Sequence, residues 1–101
     1  VKETGRLYKA TGGVLDVLPR DGRQFQLEEL QKFVGGYIEQ VPGTGWISGK
    51  PIAFCNEDGL RERLEQNILA SETFGVALVG DVIEVVRKYQ YAGAKGGAPR
   101  A

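Results

Sequence analysis

A chain of 101 residues, 42% hydrophobic and 26% charged, has room for one compact unit. At this length a domain buries roughly 60–68% of its unfolded surface, enough for a single core but not for a large enclosed substrate chamber or a multidomain enzyme. Thirteen basic residues balance thirteen acidic ones and there is no His. That removes the global electrostatic case for nucleic acid, and with it Ser–His and Cys–His nucleophile pairs, an imidazole base and His-containing zinc sites.

From the N-terminus, residues 6–10 and 14–18 read as two short strands around the turn signal Thr11-Gly12-Gly13. Pro19-Arg20-Asp21-Gly22 is a second turn, and residues 23–26 can continue as a brief strand. Leu27, Leu30 and Val34 then recur at helical spacing, with Glu28 and Lys32 placed to pair on the wet side. Gly35 and Gly36 stop this helix; a C-cap is the structural account of the pair, and close backbone approach to a ligand the functional one.

Residues 37–41 read as a strand carrying Tyr37 and Glu39, broken by Pro42-Gly43-Thr44-Gly45. Residues 46–48 and 52–55 are expected to pair across the next turn, with Trp46 either packing a sheet edge or exposed as an interaction anchor. The loop ending in Gly49-Lys50 is no phosphate-binding loop: Gly43 falls one place too early and Pro51 stands where Ser or Thr is required. Cys55 is the single cysteine and lies in an apolar run, so a buried thiol is expected and no internal disulfide can form.

Asp58 is expected to cap a second helix along Leu60, Leu64 and Ile68, with Arg61–Glu65 and Glu62–Gln66 facing water. Residues 74–79 and 81–86 read as two strands joined at Gly80-Asp81 in a C-terminal hairpin. Residues 90–101 have weak core potential and read as a flexible tail after a single domain over residues 1–89. The sum is an α+β fold, two amphipathic helices on a short-stranded antiparallel or mixed sheet covered mainly on one face. No segment reads as a membrane span or secretory signal, and the absence of a disulfide framework predicts a cytoplasmic protein.

The stretch LEELQKFVGGYIE at residues 27–39, followed by IAFCNEDG at 52–59 and by Asn67, resembles the DUF3846 family of small phage, plasmid and bacterial proteins over roughly residues 14–86. The resemblance implies a compact domain of phage or mobile-element type, and it brings no activity to transfer. The chain departs from the family pattern in its 42–50 connection and in lacking a proline before Asn67.

Three functional expectations follow. The first is a non-catalytic accessory or regulatory domain that binds a protein partner, such as a host factor in the host cytoplasm during phage infection. It draws on the aromatic residues Tyr37 and Trp46 and on the acidic segment 51–86, where seven acids face Arg61 and Arg63. The second is binding of a small polar ligand or nucleotide where Gly35, Gly36, Asn56, Glu57, Asp58 and Asn67 converge. The third is a minor structural role in a virion. An enzyme would need Glu39, Glu57 and Asp58 to come together; no catalytic residue, metal ligand or cofactor is assigned.

Overall fold

In a computed structural model of the chain, which describes residues 2–45 and 50–88, the N-terminal strand β1 (Lys2–Tyr8) is flanked on one side by β2 (Val14–Val17). On its other side lies the last strand, β5 (Val82–Lys88). Beyond β5 come β4 (Ile52–Asn56) and then β3 (Ile38–Gln40), so the five-stranded order is β2-β1-β5-β4-β3, antiparallel throughout. Two helices, α1 (Leu27–Val34) and α2 (Ile68–Phe74), complete an α+β domain. The tail reading at 90–101 and the strand reading at 46–48 lie outside the described residues, as does Trp46.

Register and packing place the helices on opposite faces, rather than both on one. Leu7, Ile83, Val85 and Ile52 alternate onto the side covered by α1, where they pack with Phe25, Leu30 and Val34. Tyr8, Val82 and Ala53 point the other way and meet Ala70 of α2, Leu78 and Val41. Covering both faces explains why β5 reads Val-Ile-Glu-Val-Val with little polar alternation: a central strand buried on both sides has no wet face to mark. Each aliphatic side chain fully buried in these layers contributes about 1.5–3 kcal/mol.

One buried acid lies on each face. Glu3, 4% exposed, accepts from the Phe25 backbone N–H at 2.8 Å and from the Arg87 guanidinium at 3.1 Å. Glu84, on the α2 side, accepts from the Tyr8 hydroxyl at 3.0 Å and lies 3.6 Å from Arg6. Burial and the neighbouring Glu84 carboxylate push the Tyr8 hydroxyl up. Residues 23–26, expected as a strand, instead form a loop held by Glu3 and by the Asp21 carboxylate, which accepts from the N–H groups of Arg23 and Gln24 at 2.7 and 2.9 Å.

The C-terminal half departs most from the sequence expectation. Residues 57–63 form turns, Leu60 is 82% exposed, and Arg63 takes a left-handed φ of 57°. The helix starts only at Ile68, capped by Asn67, whose side chain accepts from the Ala70 N–H at 3.0 Å. Residues 65–67 run against 78–80 instead, through Asn67 N–H to Leu78 C=O and Gly80 N–H to Glu65 C=O. The expected 74–79/81–86 hairpin is therefore replaced: Phe74 ends α2, and β5 pairs with β1 and β4.

Candidate functional site

The α1 region is built from local signals outward. Glu29 in the first turn reaches back to the Gln26 N–H at 2.9 Å and also accepts from the Arg20 N–H at 2.8 Å, fixing the preceding turn to the helix start. Those two backbone donors hold its carboxyl below the usual range. At the other end Gly35 adopts φ 78°, and the N–H groups of Gly35 and Gly36 both return to Gln31 C=O. The chain leaves into β3 through Tyr37, whose carbonyl accepts from Glu57 N–H at 2.9 Å.

Asn56 at the end of β4 locks this corner. Its amide donates to Val34 C=O at 3.1 Å and its oxygen accepts from Asp58 N–H at 2.7 Å, so it ties the C-terminus of α1 to the 56–60 turn. Gly36 lies against it so closely that a Cβ there would meet Asn56 Nδ2 at 2.8 Å. The glycine pair thus has two separate jobs, a left-handed cap at Gly35 and a close approach to Asn56 at Gly36.

Beside this corner opens a groove of about 710 Å³ between α1 and the 56–60 turn, bordered by Gly35, Gly36, Tyr37, Asn56 and Asp58. Five of the predicted residues meet here. Tyr37 is 69% exposed along its wall. Sequence reasoning missed the rest of the lining, which comprises Arg20, Glu28, Glu29, Gln31 and Lys32 on and before α1, and Glu62. The signal was present as the wet side of α1, but Glu28 bonds Arg20 at 3.2 Å instead of Lys32, which no local spacing rule could show. Arg61 likewise pairs with Asp58 at 2.8 Å and not with Glu65.

A second depression of about 430 Å³ lies on the far side of the 56–60 turn, where Glu39 and Glu57 join Asn56 and Asp58 above Cys55 and Leu78. Glu39 and Glu57 therefore line this hollow and not the groove. Burial, with Glu39 nearby, pushes the Cys55 thiol up, so it is a poor nucleophile at neutral pH. Asn67 belongs to neither: it is fully buried, donates to Tyr8 C=O at 2.9 Å and Gly80 C=O at 2.8 Å, and serves the cap of α2. The expected convergence of Gly35, Asn56 and Asn67 thus holds for the first two alone.

Among the described residues, no group of three or more Asp, Glu or Cys side chains is arranged to hold a metal ion. No helix there is long and apolar enough to cross a membrane. The family model described as "Domain of unknown function (DUF3846)" matches residues 11–91. No curated protein and no solved structure matches the chain.

Proposed function

From the premise that this chain belongs to the DUF3846 family, we propose that it is a non-catalytic binding module of a phage or mobile element. It acts in the cytoplasm by holding a segment of a protein partner in the groove between α1 and the 56–60 turn. The observation that carries this reading is Tyr37, a rigid aromatic left 69% exposed on the wall of that groove. Such a ring gains most when a partner buries it, and it loses little conformational entropy in doing so. The lining carries Glu28, Glu29, Asp58 and Glu62 against Arg20 and Lys32, so even with Glu28 paired to Arg20 its balance is acidic and favours a partner segment with basic character.

Small-ligand recognition has less support. It asks buried amides to read the ligand, yet Asn56 spends its oxygen and its amide on Asp58 and Val34, and Asn67 is committed to the core beneath α2. The test is affinity capture from host lysate with the wild-type chain and with Tyr37→Ala. A saturable partner should be retained by the wild type and lost by the variant, with an affinity drop of about 2 kcal/mol, the scale of an aromatic anchor. Capture that is unchanged in Tyr37→Ala, or no saturable partner at all, would sink the proposal.

A further inference from the structure

The outer edge of β2 presents a row of peptide groups that no described residue answers. Lys9 N–H donates to Gly13 C=O at 3.0 Å, and the register continues Leu7 opposite Leu15 and Gly5 opposite Val17. In an antiparallel ladder, hydrogen-bonded and non-hydrogen-bonded pairs alternate, so residues 13, 15 and 17 turn their N–H and C=O toward β1. Val14 and Asp16 turn theirs outward, and no described residue bonds them. The side chains along this edge are unusually apolar for an exposed one: Val14 is 40%, Leu15 53% and Leu18 70% exposed. The strand has no lysine, proline or bulge; what blunts it is its length of four residues and the single charge of Asp16.

We infer that this edge pairs with the same edge of a second copy of the chain, joining two sheets into one ten-stranded sheet about a two-fold axis at Leu15. The strand is self-complementary in that register. Val14 of each copy exchanges both peptide hydrogen bonds with Asp16 of the other, which gives four bonds from groups that have no partner among the described residues. Leu15 then meets its own symmetry mate in the closely spaced non-hydrogen-bonded position, where cross-strand apolar contact is strongest. Charge disfavours one alternative register. Sliding by two residues, to centre the axis on Asp16, would set two carboxylates directly opposite, whereas here each Asp16 faces a valine across the joint and has Arg6 as its register partner within its own sheet. Both α1 helices end on the same side of the joined sheet.

Sedimentation of the full chain up to about 1 mM, a range that populates contacts smaller than a standard interface, should show a reversible monomer–dimer equilibrium. Leu15→Lys should weaken it by about tenfold or more, since a charged edge residue opposes pairing. Leu60→Lys, at a residue still more exposed but off the edge, should leave it unchanged. Amide exchange on the wild-type protein reads the register without any substitution: the Val14 and Asp16 N–H groups should gain protection as concentration rises, while Leu15 N–H is protected throughout. A chain that stays monomeric over the whole range overturns the inference, as does a dimer in which Val14 and Asp16 exchange at a concentration-independent rate.

Discussion

Asn56 and Gly36 show how much of a site can be structural carpentry. The asparagine side chain reaches the end of α1 only because residue 36 has no Cβ in its path, and the two residues should therefore be energetically coupled. Gly36→Ala forces a 2.8 Å contact on Asn56 and is expected to cost about 2 kcal/mol, the range of overpacking. In an Asn56→Ala background the same change should cost far less. Urea denaturation of the four proteins checks this, and additive costs would mean that the contact is relieved some other way. Sequence alone exposed both residues as candidates, because Gly-Gly after a helix and Asn near a turn are strong local signals. It could not show that they serve each other, since residues 36 and 56 meet through the pairing of β3 with β4.

At the scale of elements, α1 and α2 make opposite points. Leu30 and Val34 face the core, and Glu29 and Gly35 close the two ends, so every signal for α1 lies within a dozen residues and the helix was legible. The Leu60, Leu64, Ile68 spacing is as regular, yet Leu64 packs beside Gly59 and Gly80 while Leu60 and Ile68 are 82% and 60% exposed. Long-range bonds from residues 65–67 to 78–80 overrode that periodicity and moved the helix start to Asn67. Asn67 is thus the fastening of α2, joining its first turn to β1 at Tyr8 and to Gly80 just before β5. Asn67→Ala should destabilise the fold by about 3 kcal/mol, since it leaves buried carbonyls and an N-terminal helix N–H without partners. A chemical denaturation midpoint close to wild type would refute that role.

For the whole molecule, pH dependence follows from which groups are shifted and in which direction. Asp21 and Glu29 are held down by backbone N–H donors, from Arg23 and Gln24 and from Gln26 and Arg20 respectively. Their contribution is fully present above the ordinary carboxylate range near about 4 and is lost as pH falls through their folded values. Tyr8 and Cys55 are pushed up, chiefly by burial, so their contribution is present below their ordinary values and is lost as pH rises through the folded ones. With no His in the chain, no histidine step interrupts the span between these limbs. A series of urea midpoints against pH should give a plateau through neutrality, and Asp21→Asn should flatten its acid limb; an acid limb unchanged by that substitution would argue against the assignment. The sheet order carries a different consequence, for biosynthesis. β1, the most N-terminal of the described strands, must wait for β5, the most C-terminal of them, which lies between β1 and β4 in the sheet. A nascent chain can therefore form its α1 and its two flanking strand pairs early, but it stays in two unjoined halves until residue 88 clears the ribosome, and the domain closes from its centre in one late step.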